Sequence, residues 1–305
     1  MTRKALVAAV ALCGLSVAAC GGTADGADAG PARIGGSASQ NAAPAAQTTQ
    51  TTQTAGSTGD VQATPAASPT TSPATSPATV AGSTPGTSLQ GKVIVIDPGH
   101  NGQNYRHPSE INKQVNILTE KKACDTTGTA TNSGYSEAAF TWDVSQRLAK
   151  ILKSRGATVK LTRPNNDGVG PCITERAAIG NKAKANAAIS IHADGAPPAG
   201  HGFHIIMPKK INGPVDPVVD ASRKLGIDVR DAFKSGTGVP YSTYIGAKAL
   251  DFRNDLGGLN LSTVPKIFIE CGNMRNAGDA ANFQSPAFRQ KAAVALANGL
   301  QNYLK

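Results

Sequence analysis

The sequence predicts an α/β fold: a mostly parallel central sheet sandwiched by helices, in a single folded domain. Two observations carry this. Short continuous apolar runs at 92–97, 187–192 and 264–270 have strand length and no polar alternation, as strands buried on both faces do. Between them lie segments with helical apolar spacing, so strand and helix alternate along the chain.

The elements follow in order. Lys92-Val-Ile-Val-Ile-Asp97 is the first strand, and Pro98-Gly99 stops it. Residues 101–134 are polar and rich in Asn, Thr and Gly, which predicts a long loop. Glu137 to Ser154 reads as a helix: Phe140, Val144, Leu148, Ile151 and Leu152 recur at helical spacing, and Gly156 ends it. Ala157 to Thr162 is a second strand, Ile173 to Ala185 a helix, Ala187 to His192 a third strand and Gly202 to Met207 a fourth. A helix spans roughly 217–234. Residues 241–250 are ambiguous between strand and loop. Val264 to Glu270 is another buried strand, and Ser285 to Leu304 closes the chain as a helix with Ala, Val and Leu on one stripe.

The part before residue 91 is different material. Residues 1–20 read as an export signal, with Arg3 and Lys4 before a short apolar core, Ala5 to Val17. Val17-Ala18-Ala19-Cys20 resembles a bacterial lipobox, in which the cysteine thiol is acylated; an ordinary small-residue cleavage site is the alternative. Acyl chains contribute about 0.8 kcal/mol per buried methylene, so a multiply acylated Cys20 would hold the chain at the outer face of the cytoplasmic membrane. Residues 21–90 are dominated by Ala, Thr, Ser, Gly and Pro and hold no aromatic side chain. Such a composition buries too little apolar surface to offset chain entropy and predicts a disordered tether.

Before residue 91, Arg3, Lys4 and Arg33 are balanced by Asp25, Asp28 and Asp60, so the net charge of +10 falls entirely on residues 91–305. A basic exported domain suits an anionic partner such as a cell-wall polymer or anionic lipid. Export and the lack of aromatic–basic interleaving argue against nucleic acid. We expect a monomer. Of the cysteines left after the signal and Cys20, Cys124 and Cys172 lie in polar, turn-rich segments and are the expected disulfide, whereas Cys271 follows an apolar run and reads as a buried thiol.

Three apolar runs end in a residue able to hold a metal or a proton: Asp97-Pro98-Gly99-His100, Ser190-Ile191-His192 and Phe268-Ile269-Glu270. Ligands bind at the carboxyl ends of strands in such sheets, so these side chains converge, and Glu137 in the first turn of its helix could add a carboxylate. Zinc hydrolases use three protein ligands, commonly from this set, and a further carboxylate handles the proton of water. The inventory is therefore His100, Glu137 and His192 for metal and Glu270 for the acid/base. Other readings stand beside it. Glu270 could pair with Lys266 or Arg275 at the strand end. Asp97 could orient His100 or simply close a turn. Arg176 reads as a structural ion-pair residue, His107 as solvated, and His201 and His204 as pointing to opposite faces of a strand.

Val93-Ile-Val-Ile-Asp-Pro-Gly-His-Asn-Gly102 resembles the opening motif of the zinc-dependent N-acetylmuramoyl-L-alanine amidases. Tyr135-Ser136-Glu137, Glu175-Arg176-Ala177, Ala187 through Asp194 and Ile269-Glu270-Cys271-Gly272-Asn273 resemble that family's later blocks in its order. Gly128-Thr-Ala-Thr-Asn132 and Gly170-Pro171-Cys172 resemble the mycobacterial and related actinobacterial branch. The resemblance spans roughly 92–303. It implies zinc on His100, Glu137 and His192, Glu270 as catalytic acid/base, and hydrolysis of the amide joining N-acetylmuramic acid to the L-alanine of the peptidoglycan stem peptide. Two departures stand out: Asp194 replaces the family's usual Asn, and Cys271-Gly-Asn-Met-Arg275 replaces an apolar-Gly-Phe pattern. A non-catalytic peptidoglycan-binding lipoprotein and a zinc hydrolase of another cell-wall bond are the alternatives. The close His pair on one helix expected of a sugar deacetylase is missing.

Overall fold

The structure, a computed structural model, describes residues 89–305. The expected signal over 1–20, the lipidation site Cys20 and all but the last two residues of the expected tether lie outside the described residues. Leu89 and Gln90 belong to the folded part: Leu89 is buried and its N–H donates to the Arg155 carbonyl at 2.8 Å.

In chain order the elements are β1 (Val93–Pro98), α1 (Pro108–Ile111), β2 (Gln114–Asn116), β3 (Lys121–Ala123), α2 (Glu137–Ser154), β4 (Thr158–Leu161), α3 (Ile173–Lys182), β5 (Ala187–Asp194), β6 (His204–Pro208), α4 (Val219–Thr237), β7 (Leu250–Arg253), α5 (Gly257–Asn260), β8 (Lys266–Asn273), α6 (Ala277–Gln284) and α7 (Pro286–Leu304). The main sheet runs β4-β1-β5-β8-β6-β7. Strands β4, β1, β5 and β8 are mutually parallel, β6 is antiparallel to β8, and β7 is parallel to β6. The α/β class and the mostly parallel sheet are as the sequence predicts.

Successive side chains of a strand point to opposite faces, and here the two faces have different jobs. One face presents Ile94, Ile96, Ile189, Ile191, Phe203, Ile205, Ile267 and Ile269 to the main core, under α2, α4 and α7. From α2 this core receives Phe140, Val144, Leu148 and Leu152, all fully buried. The helix starts cleanly because Ser136 caps it, accepting from the Ala139 N–H at 3.3 Å. The other face has a small apolar patch around Val95 and Ala188. Beyond it, toward the strands' carboxyl ends, the same pleat carries Asp97, Ser190, His192, Phe268 and Glu270. Register aligns these residues: Asp97 pairs with Ser190, Ser190 with Phe268, and His192 with Glu270.

Several elements correct the sequence reading. Residues 101–134 are not one long loop but contain α1 and a two-stranded hairpin, β2 with β3. Three-residue strands are too short to show a period. Within the ambiguous 241–250 stretch only Leu250 is in a strand, and β7 follows it. Its sequence, Leu-Asp-Phe-Arg, lacks the apolar run of the central strands because β7 is an edge. Helix α6 was also not foreseen; it is capped by Asn276, which accepts from the N–H groups of Gly278 and Asp279.

Beneath the site lies a buried charge network. Asp97, 2 % exposed, accepts from Thr162 Oγ1 (2.6 Å), Ser190 Oγ (2.6 Å), Arg176 Nη1 (2.9 Å) and Lys266 Nζ (3.1 Å). Burial alone would raise its pKa, but Lys266, Arg176 and the two hydroxyls hold it well below the usual carboxylate range. A depressed pKa contributes stability that is present above the unfolded value of about 3.9 and lost as pH falls through the folded value. Asp97→Asn should therefore destabilise the fold by about 3–5 kcal/mol at pH 7, since it leaves buried cations uncompensated. Denaturant titrations should show the gap between variant and wild type narrowing as pH drops below about 4.

Candidate active site

The four expected chemistry-bearing side chains come together at the carboxyl ends of β1, β5 and β8. His100 follows β1, Glu137 opens α2, His192 is on β5 and Glu270 on β8. Glu137 lies between the two histidines: its Oε1 is 3.1 Å from His100 Nε2 and 3.0 Å from His192 Nδ1. One ligand atom from each of the three residues falls within 4.8 Å of the others. A cavity of about 310 Å³ is lined by all three together with Glu270, Asp194, Arg253 and Phe268.

Local structure holds each group in place. His100 has a left-handed backbone, φ 58°, which turns its ring back over the strand end. Its Nδ1–H donates to the Thr126 carbonyl at 3.1 Å and lies 3.4 Å from Asp125 Oδ1, leaving Nε2 to face the site. Glu137 receives the backbone N–H groups of Thr129 (2.9 Å) and Ala193 (3.2 Å) in addition to the positive end of its helix. His192 stacks on Phe268 at 5.3 Å between ring centroids. Two glycines make room: a Cβ at Gly99 would run into the His192 ring, and one at Gly128, where φ is +75°, would approach His100 and Glu137 to 2.8 and 2.9 Å.

The proton affinities of the two glutamates are pushed in opposite directions. Burial would raise the Glu137 pKa, but the histidines outweigh it and keep the carboxylate ionised, well below its usual range. Burial would likewise lower the His100 pKa, yet the charge of Glu137 and the bonds to Asp125 and Glu137 bring it up to about 10. Among the described residues, none places a cation within bonding distance of Glu270. Its Oε2 is buried without a partner, and burial together with the charges of Glu137 and Asp194 pushes its pKa well above the usual carboxylate range. The expected alternative partners are engaged elsewhere: Lys266 binds Asp97, and Arg275 Nη1 donates to the Ala130 carbonyl. Two imidazoles and an ionised carboxylate in one cluster, opening onto a cavity with a second carboxyl, match the donor set of a hydrolytic metal site.

Some expected roles change. Asp97 does not reach His100; its carboxylate turns inward to Arg176 and Lys266, and Asp125 takes the place beside the histidine. Asp125 and Arg253 were not singled out in the sequence. The one local signal for Asp125 was its position next to Cys124, in the expected disulfide. Arg176 is the ion-pair residue expected, binding Asp97 and Asp125 at 2.9 Å each. His107 is half-buried and pairs with Glu110 at 2.9 Å. His204 is buried and in register with Glu270, whereas His201 lies ahead of β6.

Such a cavity, at the strand ends of an α/β sheet with paired histidines and carboxylates, has the donor set of a metal-dependent hydrolase. The sequence matches the N-acetylmuramoyl-L-alanine amidase family over residues 94–302. It is 40% identical over 227 residues to an N-acetylmuramoyl-L-alanine amidase of Mycobacterium tuberculosis, covering 73% of this chain and 90% of that protein. The crystal structure of the amidase Ami1 from Mycobacterium smegmatis superposes with a TM-score of 0.67 at 38% identity, covering 71% of this chain and 98% of that one. For apo Ami1 from Mycobacterium abscessus the TM-score is 0.66 at 40% identity, covering 71% and 100%. The chain belongs to the N-acetylmuramoyl-L-alanine amidase family and is a hydrolase of that class.

Cys124 and Cys172 form a disulfide, with Cα atoms 4.5 Å apart, and Cys271 is a buried free thiol. The bridge ties the segment carrying Asp125 and Thr126, both against His100, to the start of α3. Replacing both cysteines by serine should lower stability by about 4 kcal/mol, the chain-entropy value for a closed loop of 48 residues. Chemical denaturation of the oxidised protein and the double variant measures this directly.

Proposed function

We propose that this enzyme is a zinc-dependent peptidoglycan amidase that hydrolyses the bond between the lactyl group of N-acetylmuramic acid and the L-alanine of the stem peptide. The observation that carries the reading is the convergence of His100, Glu137 and His192 on one face of the cavity that also holds Glu270. His100 and His192 would hold the metal through the nitrogens that face Glu137, with the Glu137 carboxylate as third ligand. A bound zinc ion would lower the pKa of water to about 7 and polarise the scissile carbonyl.

The chain's own residues do the rest. Asp125 and the Thr126 carbonyl fix the His100 ring so that Nε2 faces the site. The Thr129 and Ala193 N–H groups fix the Glu137 carboxylate. Glu270 accepts the proton of the attacking water and returns it to the departing alanine nitrogen. A carboxyl with raised proton affinity and no competing partner suits both halves of that task.

The cell-wall substrate lies outside the cytoplasmic membrane, which agrees with the export signal and with an acylated Cys20 as anchor. No helix among the described residues is long and apolar enough to cross a membrane. The basic surface suits an anionic wall polymer, and we propose that the enzyme acts as a monomer.

Purified peptidoglycan treated with the enzyme should gain free L-alanine amines and muramic lactyl carboxyls; new reducing sugars instead would rule out the amidase reading. Glu270→Gln should retain the metal and lose two to four orders of magnitude in turnover. His192→Ala should lose metal and turnover together. Metal analysis beside a cleavage assay reads both, and a His192→Ala protein with full metal content would sink the ligand assignment.

A further inference from the structure

Among the described residues, the 310 Å³ cavity is lined by the carboxyl groups of Glu137, Asp194 and Glu270, and by a single Lys or Arg side chain, Arg253. Arg253 ends β7, the edge strand next to β6, and its side chain is about one-third exposed. Its aim is not left to chance. Asp255 holds it through two parallel bonds, from Nε to Oδ1 at 2.8 Å and from Nη2 to Oδ2 at 2.6 Å. Asp255 is itself within 3.4 Å of Lys122 from β3. Both carboxylate oxygens of Asp255 sit on the Nε–Nη2 edge of the guanidinium. The fork made by Nη1 and the second Nη2 hydrogen is left for a ligand, and that planar fork matches a carboxylate in shape and charge.

Proton traffic decides which part of the substrate reaches this fork. Glu270 returns its proton to the departing nitrogen, so the peptide side of the scissile amide lies on Glu270's side of the cavity. Arg253 is on that side too: β7 lies beyond β8 from the His192 strand β5, and Arg253 and Glu270 line the same cavity. The alanine carboxyl is tied up in the next amide. An acidic second residue, joined onward through one of its carboxyls, then carries the first free acid along the stem. We propose that Arg253 is a specificity residue, whose guanidinium binds the free carboxylate carried by the second residue of the stem peptide. This rests on the amidase reading above and adds to it a preference between stems with a free acid and stems with a carboxamide at that position.

The test uses two muramoyl tripeptides that differ only in the second residue, a γ-linked D-glutamate with its α-carboxylate free in one and converted to the carboxamide in the other. Binding is measured by calorimetry on metal-loaded Glu270→Gln protein, and cleavage on the wild type. The free acid should bind about tenfold more tightly, the worth of one charge-assisted pair, with the difference appearing in KM rather than kcat. Adding Arg253→Gln should bring the affinity for the acid down to that for the amide. Arg253→Lys, which keeps the charge but not the fork, should retain part of the preference. Equal binding of both peptides by the Glu270→Gln protein, or an Arg253→Gln protein that still prefers the acid, overturns the specificity proposal while cleavage by the wild type leaves the amidase reading standing. A wild type that cleaves neither peptide overturns both.

Discussion

A single buried guanidinium organises the ground on which the site stands. Arg176 is 4 % exposed and donates to Asp97, Asp125 and the carbonyls of Pro98, His100, Gly170 and Pro171. These acceptors belong to the end of β1, the loop that crosses the site and the approach to α3. Removing a cation from water is expensive, and it is tolerated here because every face of the fork finds an acceptor and two carboxylates balance its charge. The His100 carbonyl is one of those acceptors, so the same group that links three chain segments also supports the left-handed turn that presents the imidazole. Asp125 binds Arg176 with one oxygen and faces His100 with the other. The Cys124–Cys172 bridge keeps the two segments that meet at Arg176 together. The orientation of His100 is thus the end of a chain of contacts that starts well below the cavity.

Above this base, two residues of the same type receive opposite treatment. Glu137 is placed at a helix start, between two imidazoles and under two backbone N–H groups, and every one of these favours the charged form. Glu270 is placed on a strand, buried, with no cation among the described residues within bonding distance and with two other acids near, and burial with those acids raises its proton affinity. On the reading proposed above, these divergent proton affinities suit Glu137 to hold a metal and Glu270 to carry a proton. The register of the sheet creates the difference: β5 and β8 pair so that His192 and Glu270 are neighbours, while α2 delivers Glu137 from outside the sheet.

Much of the fold was legible locally, and for identifiable reasons. Strands β1, β5 and β8 are buried on both faces, so their apolar runs are continuous and hard to mistake. Helix α2 covers the main core with one stripe, so Phe140, Val144, Leu148 and Leu152 report its period. Short and edge elements left no such trace. Strands β2 and β3 are three residues each, and β7 is an edge whose Asp251 and Arg253 obscure the apolar signal. In the site, His100, His192 and Glu270 could be picked out because each terminates an apolar run, and Glu137 because it opens a helix. Asp125 and Arg253 terminate nothing conspicuous. Their importance comes from where the chain brings them.

The sequence by itself therefore determined the α/β class, the order of its central elements, the cysteines that pair and four side chains, His100, Glu137, His192 and Glu270, that meet at one cavity. These are local properties, written in runs, periods and residue types within one segment. Tertiary structure alone decided that Asp125 and not Asp97 supports His100, that Lys266 neutralises Asp97 while Glu270 Oε2 has no partner among the described residues, and that Arg253 lines the cavity with its Nε–Nη2 edge held by Asp255. Each of these depends on which distant segments share a few ångströms of low-dielectric space. Burial and Coulomb forces act across that space without regard to separation along the chain.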